Sequence, residues 1–370
     1  MYPIRQIIAL ILSIFQVLFP FAADWATNGG ERLMYEWSET IAFDESYYTE
    51  IEKTPGEDFV ILNITDVQIY DNEIFAGGGI GPSSLALVER LIEDVRPDLI
   101  TLSGDCFCST LATIELVDIL ESYEIPWAPI LGNHDGGNFG EWVFWGAWRL
   151  YRAEHSLFEF GPKGMGYGNY ILNLTEDGRV IHSFYLMDTH RERSRKIVEG
   201  VPYMVYDHLW DNQIAWYEWA VRGNERLAGY HIPSTVIMHV PSYEFLTAWK
   251  SVADDRVCPD APLGYLLPEY AGLVTGHSGE FGGYPPETNG FFDKVKELGS
   301  TTDIIAGHDH LNDYSMVYEG IRLSYALHTG FGSYYRDDML GGTVYTVASD
   351  GSTSIRHAYY DYIDGAWVAR

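Results

Sequence analysis

The chain has 370 residues and a formal net charge of −30, from 23 Lys and Arg against 53 Asp and Glu. So acidic a surface repels polyphosphate backbones and favours solubility, which argues against nucleic acid as a partner. With 46% hydrophobic and 21% charged residues, the composition is that of a folded protein able to bury a large core.

Taken along the chain, Arg5 precedes a stretch over 7–23 that is apolar except for Ser13, Gln16 and Pro20, before the polar Asp24. A positive start and an apolar middle read as a secretory signal over 1–23, so a secreted, periplasmic or cell-surface protein is expected. The alternative is an uncleaved membrane anchor through 7–23. Neither Ala22 nor Ala23 has a small residue two positions before it, and the stretch is near the lower limit of a span. No repeat or linker divides the rest of the chain, so residues 24–370 are expected to form one domain.

Residues 24–56 are polar and aromatic without clear periodicity and read as a surface-wrapping segment. The short, β-branched run Phe59–Ile64 reads as a buried strand. Leu85, Val88, Leu91, Ile92 and Val95 at helical spacing predict a helix over 83–96, with Ser83 or Ser84 as cap. Strands are expected over 99–102 and 127–131, with helices over 111–123 and 141–153. Residues 166–189 read as two paired strands and 211–222 as a helix. Further buried strands are expected at 236–239 and 304–306, with a helix over 290–298 between them. The Gly/Pro-rich stretch 262–289 is a long loop, of the kind that is usually functional. The tail 315–362 reads as antiparallel strands, with a turn at 349–351. Alternating strands and helices argue for an α/β fold with a parallel core sheet, in which ligands collect beyond the carboxyl ends of the strands.

Three cysteines, Cys106, Cys108 and Cys258, allow one long-range disulfide and one free thiol in an oxidising compartment. Of two glycosylation sequons, the one at Asn63 lies inside an apolar strand and reads as fortuitous. Asn173 is open to modification in a host that glycosylates secreted proteins.

Five blocks share one design, an apolar run ending in residues able to bind metal. They are ILNITDVQ (61–68), LITLSGD (99–105), APILGNHD (128–135), TVIMHV (235–240) and DIIAGHDH (303–310). Together they offer Asp66, Gln68, Asp105, Asn133, His134, Asp135, His239, His308 and His310. Oxygen and imidazole donors in this mixture suit two divalent cations such as Mn, Fe, Zn or Mg. Singly, Asp66, Asp105 and Asn133 would pass as turn residues after strands, and His239 as a packed core histidine. His308 and His310, one residue apart, share one side of an extended segment. The joint pattern makes a metal site the economical reading.

The order D-x-[H/Q], G-D, G-N-H-D, H, G-H-x-H resembles the calcineurin-like metallophosphoesterase superfamily over about residues 59–335. MHVPSYEF (238–245), ETNGFFDKV (287–295) and AGHDHLNDY (306–314) resemble its purple-acid-phosphatase-like branch. The resemblance implies a single-domain, four-layer α/β/β/α sandwich. It implies one metal held by Asp66, Gln68, Asp105 and His310, and a second held by Asp105, Asn133, His239 and His308. His134 would serve as the acid, oriented by Asp135. No tyrosine follows the G-D block in GDCFCST, so an iron–tyrosinate colour is not expected. Where most members place His, this chain has Gln68, a neutral and weaker ligand that favours Mn or Mg over Zn at the first site. D-x-Q is also similar to the start of manganese-dependent ADP-ribose/CDP-alcohol diphosphatases.

The expected function is an exported dinuclear-metal phosphoesterase acting on a small phosphorylated substrate by attack of a metal-bridging water. A phosphodiesterase or nucleotide diphosphatase is the alternative, and a non-catalytic metal- or phosphate-binding surface protein is a third reading. His155, His182, His208, His231, His328 and His357 are assigned to surface or packing, and His190 and His277 to loops near the substrate. In HTGFGSYYRD (328–337), Arg336 is expected on the rim of the site and Tyr334 and Tyr335 in packing. Asn312, Asp313 and Tyr314 are expected to brace the His308–His310 loop.

Overall fold

The computed structural model describes residues 32–69, 83–136, 143–198 and 201–370. The leader expected over 1–23 lies outside the described residues. Among those described, no helix is long and apolar enough to cross a membrane.

The first half of the chain builds β1 (Tyr48–Glu52), β2 (Phe59–Ile64), α1 (Ser84–Val95), β3 (Leu99–Ser103), α2 (Thr110–Ser122), β4 (Trp127–Ile130), α3 (Val143–Arg152), β5 (Tyr170–Glu176) and β6 (Arg179–Leu186). Next come a hairpin of β7 (Glu192–Val198) and β8 (Val201–Tyr206), then α4 (Asp211–Ala228), β9 (Ser234–Met238), α5 (Tyr243–Val252), β10 (Val274–Thr275) and α6 (Phe291–Leu298). The chain ends in β11 (Thr301–Ala306), β12 (Ser315–Tyr318), β13 (Ile321–Tyr325), β14 (Gly341–Val347), β15 (Thr353–Ile363) and β16 (Ala366–Ala369). One sheet has eight strands in the order β1-β5-β6-β9-β11-β13-β12-β10, and the other six in the order β16-β15-β14-β2-β3-β4.

The layers follow from period-two burial. Leu172, Leu174, Phe184, Leu186, Ile237 and Ile305 of the eight-stranded sheet share a core with Ile61 and Tyr345 of the other sheet, where the Phe184 and Tyr345 rings meet. The intervening Ile171, Tyr185, Val236, Met238, Ile304 and Ala306 face the opposite way, onto Trp216, Tyr217 and Val221 of α4, Phe245 and Trp249 of α5, and Val295 of α6. Leu87 and Leu91 of α1 and Leu116 and Leu120 of α2 close the far side of the six-stranded sheet. The order of layers is therefore helix, sheet, sheet, helix, as the resemblance implies.

Local chemistry sets the boundaries. Ser83 Oγ accepts from Ala86 N at 3.4 Å to start α1. α4 runs six residues past its expected end at 222, because nothing breaks it before Gly229, which caps it at φ 79°. Several expectations change. Residues 48–52 form an edge strand, parallel to β5, rather than a wrapping segment. The tail divides between the sheets: β13 runs parallel to β11 in one, while β14 pairs antiparallel with β2 in the other. All three cysteines are free, and Cys106 and Cys108 are buried beside Asp135, so no disulfide forms. Asn173 is fully buried and pairs amide to amide with Asn224 at 2.8 and 2.9 Å, so its sequon is closed to modification in the folded chain. Asn63 is likewise buried, donating to Thr101 Oγ1 at 2.9 Å.

Candidate metal centre

The five expected loops meet at the carboxyl ends of β2, β3, β4, β9 and β11, and the seven expected ligands are all buried. Asp66, Gln68, Asp105 and His308 hold left-handed backbone at φ 53°, 42°, 53° and 79°. Such positions cost non-glycine residues roughly 1–3 kcal/mol each and persist only where the surroundings dictate them. Here the loops tie one another. Asp66 N donates to Gly104 O and Gln68 N to Asp105 O, both at 3.0 Å, and His308 N donates to Asp66 Oδ2 at 2.9 Å. The glycines of the motifs are required by close approach: a Cβ on Gly104 would lie 2.3 Å from His239 Nδ1, and one on Gly132 2.3 Å from Asp105 Oδ1.

Carboxylate, amide and imidazole atoms able to bind metal crowd together here. His239 gives its Nδ1 proton to Ser103 O at 2.8 Å, so in the neutral ring Nε2 carries the lone pair. That Nε2 lies 3.0 Å from Asn133 Oδ1, 3.3 Å from Asp105 Oδ2 and 3.3 Å from His308 Nδ1. His310 likewise donates Nδ1–H to Tyr334 O at 2.7 Å and turns Nε2 toward Asp66 Oδ1, 3.4 Å away. Asp66 Oδ1 and Gln68 Oε1 are buried without a hydrogen-bond partner, while Gln68 Nε2 donates to Asp105 Oδ2 at 3.0 Å. Two buried carboxylates among imidazole lone pairs are unfavourable unless cations join them. The donor set fits cations with mixed oxygen and nitrogen ligands. Its two clusters are Asp66–His310–His328 and Asp105–His239–His308, each with ligand atoms within 4.8 Å of one another.

Without a cation, protons take its place: against burial, Asp105 raises His239 to about 10 and Asp66 raises His310, so each imidazole is charged beside its carboxylate. Burial alone would raise Asp66 and Asp105, but His310 beside the first and His239 beside the second hold both below the ordinary carboxylate range. Burial, reinforced by His239, pushes His308 down to about 3 and keeps it neutral.

The Asp135 carboxylate makes its hydrogen bonds to backbone N–H groups rather than to the His134 ring. It accepts from Asp105 N at 2.9 Å, Gly132 N at 2.7 Å and Phe107 N at 2.5 Å. Burial and the charge of Asp105 push it up to about 7, against the N–H groups of Gly132 and Phe107. Through these bonds Asp135 ties the Asp105 loop to the Asn133 loop. His134 donates its backbone N–H to Asp105 Oδ1 at 2.7 Å and lines the cavity above the donors.

That cavity has a volume of about 210 Å³, and its wall includes Tyr206, Glu280, Phe281, Asp309 and Tyr334. None of these five was expected there from the sequence. The 262–289 loop closes over the site, with Asp309 accepting from Gly283 N at 2.7 Å and Tyr325 OH at 2.5 Å. Asn312 braces the same loop by accepting from the N–H groups of Gly279 and Glu280. Tyr334 stacks on His310 at 4.2 Å and donates to Glu280 at 2.9 Å, so it belongs to the site rather than to packing. His190 is held by Gln213 and Trp210, and His277 by Asp313 and Arg336; none of these lines the cavity, and Arg336 is paired with Asp338. His328, assigned from the sequence to surface or packing, is buried in the first donor cluster. Its one sequence signal is the run SYALH (324–328), an apolar strand ending in His like the five blocks.

The calcineurin-like phosphoesterase family model matches residues 59–312. An Arabidopsis thaliana protein named probable inactive purple acid phosphatase 14 is 28% identical over 281 residues, covering 68% of this chain and 63% of its own length. A second from the same plant, named probable inactive purple acid phosphatase 28, is 24% identical over 274 residues, 67% of this chain and 62% of its own. The chain thus spans a little under two thirds of the length of these relatives. A solved dimetal phosphatase from Danio rerio aligns with 80% of this chain and 98% of its own at 13% identity, with a TM-score of 0.43. The family match takes in more than half of the chain and every expected ligand from Asp66 to His310, so the chain belongs to the calcineurin-like phosphoesterase family.

Proposed function

We propose that the protein is an exported phosphoesterase that uses two divalent cations to hydrolyse a small phosphorylated substrate. The observation that carries this reading is the meeting of buried ligand atoms, Asp66 Oδ1, Gln68 Oε1 and the Nε2 atoms of His239 and His310, beneath a cavity of about 210 Å³. Cations there would supply Lewis acidity and neutralise charge on the phosphoryl oxygens. Asp105 belongs to the second cluster, with Oδ1 fixed by His134 N and Oδ2 facing both His239 and Gln68. His134 stands on the cavity wall, outside the donor clusters, where a proton can be delivered to the leaving oxygen. Export rests on the composition of 1–23, with an anchor through 7–23 as its alternative.

A diester or diphosphate substrate is the second reading. Among the described residues the cavity wall carries Glu280 and Asp309 and no Lys or Arg, which suits a singly charged phosphodiester better than a monoester dianion. The plant relatives named inactive give weight to a third reading, a binding protein without turnover.

Elemental analysis of the purified protein, with hydrolysis of p-nitrophenyl phosphate and bis(p-nitrophenyl) phosphate measured with and without added Mn, separates the three. About two metals per chain with turnover that disappears in Asp105→Asn is the expected result, and the preferred ester decides between the first two readings. Metal binding without turnover on either ester would leave the binding protein. Absence of bound metal after Mn loading would refute the site itself.

A further inference from the structure

His328 comes after β13, whose parallel neighbour β11 delivers His308 and His310 to the same end of the sheet. Its backbone is fixed from three sides. Ala326 N donates to Ala306 O at 2.7 Å, Thr329 N to Thr65 O at 3.1 Å, and Gly341 N to His328 O at 3.0 Å. Gly330 lets this segment press on the Asp66 loop, since a Cβ there would lie 2.0 Å from Val67 O. The imidazole is 1% exposed and stacks on His310, with ring centroids 4.1 Å apart and an angle of 18° between the planes. His310 is thus sandwiched between His328 and Tyr334.

Packing alone leaves one thing unexplained. A neutral imidazole has one N–H donor and one lone pair, and a buried histidine normally spends at least one of them on the protein. In His328 neither Nδ1 nor Nε2 makes a well-formed hydrogen bond, and the ring only approaches the Gly330 backbone. One of these nitrogens lies within 4.8 Å of both the Asp66 carboxylate and a ring nitrogen of His310, and Asp66 Oδ1 is itself partnerless. Gln68 Nε2, meanwhile, is engaged with Asp105. The residue at the position where D-x-H would supply an imidazole therefore offers only an amide oxygen.

We infer that His328 is a ligand of the first cation, supplying from β13 the imidazole that the D-x-Q motif lacks. This rests on the proposed metal centre and adds a residue to it. The first cation is then held by Asp66, Asp105, Gln68, His310 and His328, a mixed set able to bind zinc or iron as well as manganese.

Two substitutions separate ligation from stacking. His328→Phe keeps an aromatic ring against His310 and removes both nitrogens, and His328→Gln restores a donor atom without the ring. The readouts are Mn affinity by competition with a chelator, and imidazole 15N shifts after loading with zinc. Wild type should bind two Mn. His328→Phe should keep one, with the other weakened by more than the roughly 100-fold that loss of an outer-sphere partner costs. His328→Gln should recover part of the difference. In wild-type protein one nitrogen of His328 should shift to the metal-bound range, a result that needs neither variant to fold. Two tightly bound Mn in His328→Phe, or no shift of the His328 nitrogens in zinc-loaded wild type, would overturn the ligand role and leave the metal centre standing. Wild type that binds no metal would remove both.

Discussion

Asp135→Asn tests whether this residue braces the metal loops or serves His134. Oδ2 takes two backbone N–H groups, Asp105 N and Gly132 N, and Oδ1 takes Phe107 N. An asparagine placed in the same rotamer keeps its oxygen on the pair and turns its NH2 toward the Phe107 N–H. One buried donor then loses its acceptor, at a cost of about 1–3 kcal/mol, and two charge-assisted bonds become neutral, at about 1 kcal/mol each. The expected loss is about 3–5 kcal/mol, reduced in part because asparagine removes a buried charge that Asp105 repels. It should appear as a lower urea midpoint with unchanged slope for metal-free protein at pH 8, above the pH of about 7 to which burial raises this carboxyl. Because the same bonds set the spacing of Asp105 and Asn133, Mn affinity should fall with stability. A variant within about 0.5 kcal/mol of wild type that binds Mn normally but turns over slowly would refute the bracing role and return Asp135 to His134.

His134→Ala should lower turnover by about 10²–10⁴-fold, with metal content unchanged, since the side chain lies outside both donor clusters; elemental analysis and kcat on one sample check both halves. Mn at 100 times its Kd should stabilise the protein by about 2.7 kcal/mol per site, and a chelator should remove that gain, so superimposable melts with Mn and with EDTA would contradict the site. Burial depresses His182 to about 3, with Nε2 on Thr235 at 2.8 Å and Nδ1 unpartnered. Its folded pKa lies below the unfolded value of about 6.5, so the unfolded chain takes up the extra proton, and stability present above pH 6.5 is lost as the pH falls toward 3. Over the two pH units from 6.5 to 4.5 this group should cost wild type about 2 kcal/mol. His182→Gln should lose that much less, and parallel unfolding profiles for the two proteins would contradict it.

Most of the first donor set is legible in the sequence because each ligand sits one or two residues past a buried strand, and a parallel α/β sheet delivers its strand ends to one place. The apolar runs before Asp66, Asp105, Asn133, His239 and His308 carry both the fold and the site in one local pattern. Other features depend on partners far away in the chain, and local pattern cannot show them. His328 reads as a packed histidine until β13 lies beside β11 and Gly330 meets Val67. Nothing local shows that the loop after β3 brings the Asp105 and Phe107 N–H groups to the Asp135 carboxylate. Asn173 reads as a surface sequon until α4 lays Asn224 against it. The ligand types and their order were thus determined by the sequence alone, through burial patterns that act within a few residues. Which nitrogens are left without a proton partner was decided only by tertiary structure, because hydrogen bonds between buried groups depend on where distant segments come to rest.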